Sequence, residues 1–163
     1  MTRSIRRALA GLTVIAAGML AIGLQTTPAM ALNPDSYNIL KNAQRNQLCL
    51  DIDAPTLQAH LWSCHHPVTS NQQYLLFAPP GQSPGEWKIK SQLGNVCLKN
   101  ERPFQNSVIS CSAADIGQRW FLKSTGEIVS TWDGTCLDAQ GDFDGARVVQ
   151  NSCNGSISQR WFF

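Results

Sequence analysis

One sequence pattern occurs three times in this chain and limits what the chain can fold into. Each occurrence consists of Cys-Leu, a second cysteine further on, and a glutamine followed two residues later by an aromatic residue. The matching positions are Cys49, Cys64, Gln72 and Tyr74, then Cys97, Cys111, Gln118 and Trp120, and finally Cys136, Cys153, Gln159 and Trp161. Three matches in the same order are not expected by chance, so the chain consists of three copies of one unit. We place these copies at about residues 36–80, 81–123 and 124–163.

The first 31 residues have the features of a secretory signal peptide. Three arginines precede an apolar run at residues 8–24, and Ala29 and Ala31 supply the small residues that a signal peptidase recognises. An uncleaved membrane anchor is the alternative, because this run approaches the length that spans a bilayer. The cleavage signal and the glycines in the run favour cleavage. We therefore predict a signal peptide at 1–31 and a secreted domain at 32–163 without membrane insertion.

The charge of the predicted mature domain argues against two classes of partner. All three arginines of the leader disappear on cleavage, which leaves 10 Lys and Arg against 11 Asp and Glu. The basic character of the full chain therefore belongs to the leader. A nearly neutral domain without a basic patch is not expected to bind nucleic acid or an anionic membrane surface.

The spacing of the cysteines and of the apolar residues predicts an all-β fold. Six cysteines in an exported chain favour disulfides, and they fall into three local pairs, one in each copy. Apolar runs are short, and no segment after the leader keeps a 3.6-residue period for long, so we expect about twelve short strands and almost no helix. One copy is too small to be stable alone. We therefore expect three copies around a pseudo-threefold axis, with the Cys-Leu leucines and the motif aromatics pointing inward.

With these repeats the chain resembles the ricin B-chain type of β-trefoil lectin, a fold that also occurs in carbohydrate-binding modules. The resemblance covers essentially the whole predicted mature chain. It implies a β-trefoil with three intra-repeat disulfides, Cys49–Cys64, Cys97–Cys111 and Cys136–Cys153, and a galactose-like sugar or a polysaccharide as the partner. We expect no cofactor and no metal.

A sugar site can also be argued from strand geometry. If Cys49 and Cys64 face each other across an antiparallel pair, Asp51 and Trp62 lie opposite each other on one face. A carboxylate accepts hydrogen bonds from sugar hydroxyls, and an indole stacks on the C–H face of a pyranose. The same rule places Lys99 opposite Ile109 and Asp138 opposite Asn151. Asp51 could instead stabilise a turn, but the neighbouring Trp62 favours binding.

The resemblance extends the predicted site within the first copy. Matching the family pattern residue by residue gives Asp51, His60, Trp62, Asn71 and Gln72 as the carbohydrate-binding residues, with His60 in place of the usual glutamine. The loop between Asp51 and Trp62 is shorter than usual and carries Pro55. In the second copy only Gln118 matches. The third copy supplies a weaker secondary site of Asp138, Asn151 and Gln159.

Three other stretches have a structural and a functional interpretation. His65-His66 could bind a metal, but Cys64 is expected in a disulfide, so a solvated loop is favoured. Residues 142–145 resemble part of a calcium loop without the distal glutamate, which favours a Gly-rich turn. Asp133-Gly134 is typical of a hairpin turn and predicts that Trp132 is exposed.

Sugar binding by the first copy is therefore the leading hypothesis. A protein-interaction or cell-targeting module is the second, because two of the three sites have lost matching residues. Such a module would act through a protein partner or an oligomer. An enzyme is the weakest hypothesis, since no Gly-x-Ser-x-Gly, Walker or His-Glu-x-x-His motif occurs.

Overall fold

The computed structural model describes residues 36–163, so the predicted signal peptide lies outside the described residues. These residues form twelve β-strands and three single turns of 3-10 helix, which confirms the all-β prediction. Within the same range no helix is both long enough and apolar enough to cross a membrane.

Each copy contributes four strands in the same order, with a 3-10 turn before the fourth. In the first copy these are β1 Lys41–Asn42, β2 Cys49–Ile52, β3 Ala59–Trp62, a turn at Ser70–Gln72, and β4 Tyr74–Phe77. In the second copy they are β5 Glu86–Ser91, β6 Val96–Lys99, β7 Ser107–Ser110, a turn at Ile116–Gln118, and β8 Trp120–Leu122. In the third copy they are β9 Ile128–Ser130, β10 Cys136–Ala139, β11 Val148–Asn151, a turn at Ile157–Gln159, and β12 Trp161–Phe162.

The first and fourth strands of the three copies close into a ring of six. Antiparallel pairs join β4 to β5, β5 to β8, β8 to β9, and β12 back to β1. Isolated bridges complete the ring, Asn38 with Tyr74 and Glu127 with Arg160. The second and third strands form three hairpins, β2–β3, β6–β7 and β10–β11. A closed ring has no free strand edge, which suits a domain built from very short strands.

The register of the hairpins corrects one prediction. Cys49 pairs with Trp62 rather than with Cys64, so the partner of Asp51 is His60. The two other hairpins have the same two-residue offset: Lys99 faces Ser107 and Asp138 faces Val149, not Ile109 and Asn151. The reason is that the second cysteine of each pair lies beyond the end of its strand, and the chain bends back toward the first cysteine. Side chains alternate with a period of two, so a shift of two residues leaves each side chain on the same face of the hairpin. Asp51 and Trp62 therefore still lie on one common face.

The three predicted disulfides are present, one in each copy. They join Cys49 to Cys64, Cys97 to Cys111 and Cys136 to Cys153, and their Cα atoms are 5.1, 4.9 and 5.0 Å apart. Each closes a loop of 14 to 17 residues, for which the chain-entropy model gives a stabilisation of about 3 kcal/mol.

The motif glutamines fix the chain around the second cysteine of each disulfide. In every copy the side-chain oxygen accepts from the backbone N–H that follows this cysteine, and the side-chain nitrogen donates to the carbonyl that precedes it. All three glutamines are fully buried. The glutamines are Gln72, Gln118 and Gln159.

The motif aromatics form the centre of the core, as predicted. Trp120 and Trp161 donate their indole N–H groups to the carbonyls of Leu98 and Leu137, at 3.2 and 3.0 Å. Tyr74 donates its hydroxyl to the corresponding carbonyl of the first copy, that of Leu50, at 3.1 Å. Side chains at all six positions are buried. The Cys-Leu and Gln-x-aromatic elements are therefore parts of one contact, which explains why they recur together.

We expect Trp120→Phe to lower the free energy of unfolding by about 1–3 kcal/mol, because it removes a buried hydrogen bond and leaves a small cavity. The matched control is Trp132→Phe, the same change at a side chain that is 49% exposed. This control should stay within about 0.5 kcal/mol of wild type. Urea unfolding of the oxidised proteins measures both, and equal losses would contradict the assigned role of Trp120.

Candidate carbohydrate-binding site

A cavity of about 660 Å³ opens beside the β2–β3 hairpin of the first copy. Its volume is within the range of about 300–1,000 Å³ that is usual for small-molecule sites. One wall carries Asp51 and Trp62. The second copy contributes Gln105, and the third contributes Gly145 and Arg147. The cavity therefore lies where the three copies meet, although most of its lining belongs to the first.

Asp51 is the most constrained side chain of the cavity. It lies in β2 and is only 3% exposed. Its Oδ1 accepts from Asn71 Nδ2 at 2.8 Å and lies 3.5 Å from His60 Nε2, while its Oδ2 accepts from Gln72 Nε2 at 2.7 Å. Burial raises the pKa of the Asp51 carboxyl above 3.8, and the hydrogen bonds from Gln72 and Asn71 and the nearby His60 oppose this shift. A carboxylate has about four lone-pair sites, so the edge that reaches the cavity can still accept a ligand hydroxyl.

The indole of Trp62 forms an exposed wall beside this carboxylate. Trp62 is the last residue of β3 and is 40% exposed. The His60 ring packs against it edge to face, with centroids 5.7 Å apart. Because His60 lies between Asp51 and Trp62 on the hairpin, the carboxylate and the indole are diagonal neighbours rather than directly opposed. This arrangement places hydrogen-bond acceptors next to a flat apolar surface.

Asn71 and Gln72 differ in their relation to the cavity. Asn71 is half-buried, lines the cavity and donates to Asp51. Gln72, predicted as a ligand contact, is fully buried and is absent from the lining. Its side-chain amide forms hydrogen bonds with the backbone of Ser63 and His65 and with the Asp51 carboxylate. Gln72 therefore lies behind Asp51 and holds its carboxylate in place.

The short loop after β2 forms another wall of the cavity. The loop is closed by the N–H of Asp53 donating to the carbonyl of Gln58 at 3.0 Å, and by that of Leu57 donating to the carbonyl of Asp53 at 2.7 Å. Leu57 adopts a positive φ of 59°, which makes this tight closure possible without glycine. The Thr56 hydroxyl also donates to the Asp53 carboxylate at 2.5 Å. The rim of the cavity is thus held by its own hydrogen bonds.

Four lining residues were not found from the sequence: His65, Gln105, Gly145 and Arg147. His65 follows Cys64 in a loop where its Nδ1 lies 2.6 Å from the Thr69 hydroxyl. Gly145 donates its N–H to the carbonyl of Leu61 at 2.7 Å, and its Cα faces the Trp62 ring, since a Cβ there would lie 3.9 Å from the indole. The neighbouring Asp142 and Asp144 accept hydrogen bonds from Asn46 and Ser63, so this stretch is a fixed turn. No local pattern marks Gln105, Gly145 and Arg147 as cavity residues, because they come from the second and third copies.

In the third copy the residues of the predicted secondary site lie together, but no aromatic ring forms a wall beside them as Trp62 does in the first copy. Asp138 Oδ2 accepts from Asn151 Nδ2 at 3.0 Å and from Gln159 Nε2 at 3.1 Å. Asn151 stands at the position of Trp62 and offers no ring. In the second copy Lys99 replaces the aspartate and lies 3.4 Å from Asp115. Asp51 with its indole neighbour is therefore particular to the first copy.

Potential metal ligands also come close together at one place in residues 36–163. Ligand atoms of Glu127, Cys136 and Cys153 lie within 4.8 Å of one another. Both sulfurs belong to the third disulfide, so neither is available as a thiolate.

The chain resembles known proteins in part of its sequence and in its fold. No family model matches the chain. The agglutinin of Ricinus communis is 27% identical over 96 residues, which cover 56% of this chain and 16% of the agglutinin. The chain thus spans about one sixth of that relative.

Solved structures support the fold. A designed threefold-symmetric protein, ThreeFoil, has a TM-score of 0.66 at 24% identity and matches 78% of this chain and 97% of its own. The C-half of the earthworm R-type lectin, solved in complex with GalNAc, has a TM-score of 0.63 at 17% identity. That match covers 78% of this chain and 96% of the lectin chain. The cytolethal distending toxin of Haemophilus ducreyi has a TM-score of 0.65 at 16% identity, and the match covers 80% of this chain and 84% of the toxin chain. The β-trefoil prediction and the resemblance to ricin B-type modules are confirmed.

The raised pKa of Asp51 predicts a pH dependence of stability. Because the folded protein holds this proton more tightly than the unfolded chain does, the contribution of Asp51 is fully present below pH 3.8 and is lost as the pH rises through the folded-state pKa. We therefore expect wild type to lose stability relative to Asp51→Asn as the pH rises from below 3.8 toward neutrality. Urea unfolding of both proteins across this interval measures the difference. A difference that grows in favour of wild type with rising pH would contradict the assigned burial of the carboxyl.

Proposed function

We propose that this chain, which resembles the ricin B-type lectin modules in sequence and fold, is a secreted protein that binds a galactose-like sugar in the cavity of its first copy. The observation that supports this most is the shared wall of Asp51 and Trp62. A buried, hydrogen-bonded carboxylate beside an exposed indole provides both kinds of contact that a pyranose needs. The relatives point in the same direction, since the earthworm lectin C-half was solved with GalNAc.

Each side chain has a distinct part in this proposal. Asp51 accepts hydrogen bonds from sugar hydroxyls, and these bonds are strengthened by its charge. Trp62 covers the apolar C–H face of the ring and loses little side-chain entropy in doing so. Asn71 and His60 add polar contacts from the lining, while Gln72 keeps Asp51 in position. In the third copy Asp138 and Asn151 can form hydrogen bonds without stacking, which makes it the weaker secondary site.

Binding without turnover fits the state of the carboxylates. Asp51 is already engaged by Asn71 and Gln72, and Asp53 accepts from the Thr56 hydroxyl. Hydrolysis of a glycoside requires two carboxyl groups that are free to exchange a proton and to attack the substrate or activate water. The proposed role is therefore recognition, and a partner protein or an oligomer would supply any further activity.

We expect wild type to bind galactose or lactose with a dissociation constant of about 1 mM, which corresponds to about −4 kcal/mol. Trp62→Ala should weaken binding at least about tenfold, because the ring loses its stacking surface. Trp132→Ala is the matched control, since it removes an indole of similar exposure outside the cavity. Ligand-observed NMR titrations measure all three proteins. An equal loss for both variants, or none for Trp62→Ala, would contradict the site.

Only the first copy has a stacking indole, so we propose one competent sugar site per molecule, and this predicts how the protein behaves toward cells. Agglutination requires at least two sites that act together, and avidity arises only when sites are linked. We expect the monomer not to agglutinate erythrocytes, whereas a dimer made by fusion to a dimeric partner should do so. Strong agglutination by a gel-filtered monomer would contradict the single-site proposal.

Protein interaction is the second candidate, favoured by exposed aromatic side chains on loops of the other two copies. Phe104 is 68% exposed and Phe143 is 61% exposed. Aromatic side chains are enriched at protein contacts. If no sugar in a glycan array binds the oxidised protein, this candidate replaces the first.

A further inference from the structure

We propose that the cavity selects glycans that carry an acidic group, a carboxylate or a sulfate, and that Arg147 recognises this group. This inference rests on the proposed sugar binding and adds a substrate class to it. Arg147 immediately precedes β11 in the third copy and forms an antiparallel bridge with His60. It thereby lines the same cavity as Asp51 and Trp62.

The guanidinium of Arg147 is held in place through one edge. Its Nε donates to Gln105 Oε1 at 2.9 Å, and Gln105 Nε2 donates to the carbonyl of Ala59 at 2.6 Å. These two bonds tie the guanidinium to the backbone of β3. An arginine that is fixed in this way loses less conformational entropy on binding than a mobile surface arginine.

The other edge of the guanidinium has no partner among residues 36–163. Neither terminal nitrogen of Arg147 takes part in a hydrogen bond with the described residues, and the five ion pairs found there use other cations. A guanidinium edge with two parallel N–H groups matches the two oxygens of a carboxylate or sulfate, and bidentate pairs of this kind are among the strongest hydrogen-bonded contacts.

The carboxylates that line the cavity do not bind the free edge of the Arg147 guanidinium. Asp51 is engaged by Asn71 and Gln72 and lies next to His60, and Asp53 accepts from Thr56. Neither forms an ion pair with Arg147 in the described part of the chain. The cavity therefore presents a positive edge at the third-copy side and a hydrogen-bonded carboxylate at the first-copy side. A sugar with hydroxyls at one end and an acidic group at the other fits both.

The test compares neutral and acidic probes on the whole mature protein. Galactose is compared with galacturonic acid and galactose 6-sulfate, and lactose with its two sialylated forms, which separates carboxylate from sulfate recognition. We expect at least one acidic probe to bind wild type about tenfold tighter than its neutral parent, an advantage that falls as NaCl is added. Arg147→Gln should abolish the advantage of the acidic probe over its neutral parent.

The matched control is Arg45→Gln, at an exposed arginine that is not part of the cavity lining and should keep the advantage. Neutral sugars that bind wild type as tightly as every acidic probe would overturn the role of Arg147 and leave the proposed function standing. Absence of binding by all probes would overturn both. An advantage that persists in Arg147→Gln would assign the acidic group to another residue. The wild-type ratio and its salt dependence decide whether acidic glycans are selected even if Arg147→Gln does not fold. Arg147→Lys keeps the charge without the two parallel N–H groups, and an undiminished advantage in that variant would overturn bidentate recognition by Arg147.

Discussion

The structure depends on one repeated contact between the Gln-x-aromatic motif and the segment around each disulfide. The glutamine side chain bonds the backbone on both sides of the second cysteine, and the aromatic side chain donates to the carbonyl of the leucine that follows the first. Together they connect the fourth strand of a copy to its hairpin. With strands of two to six residues, the ladder hydrogen bonds alone would hold the copies together poorly. The three local disulfides reinforce the same place.

The candidate site is an extension of this contact. In the first copy the glutamine has a third hydrogen-bond partner, Asp51, and the residue before it, Asn71, bonds the other oxygen of that carboxylate. The structural motif therefore places the acceptor at the edge of the cavity. The third copy preserves the bond from Gln159 to Asp138 but has Asn151 where Trp62 would be. Loss of the ring removes the stacking surface and leaves the fold unchanged, which explains how sites can disappear while repeats remain.

Features that recur in every copy could be predicted from the sequence, whereas features that depend on contacts between copies could not. The disulfide pairs, the buried leucines and aromatics, and the common face of Asp51 and Trp62 follow from local spacing and strand alternation. The hairpin register was wrong by two residues because it depends on how the chain bends after Trp62, where Asp144 accepts from Ser63. Arg147 and Gln105 reach the cavity through pairing between copies. Nothing near them in the sequence indicates that pairing.

The central claim is that the cavity beside the first hairpin takes up sugar through a stacking indole. The most direct measurement is a ¹H–¹⁵N spectrum of the indole groups recorded while lactose is added to the oxidised protein. The chain has 5 tryptophans, and we expect the Trp62 resonance to shift while those of the buried Trp120 and Trp161 stay unchanged. A shift confined to Trp132, or no shift at saturating sugar, would contradict the account.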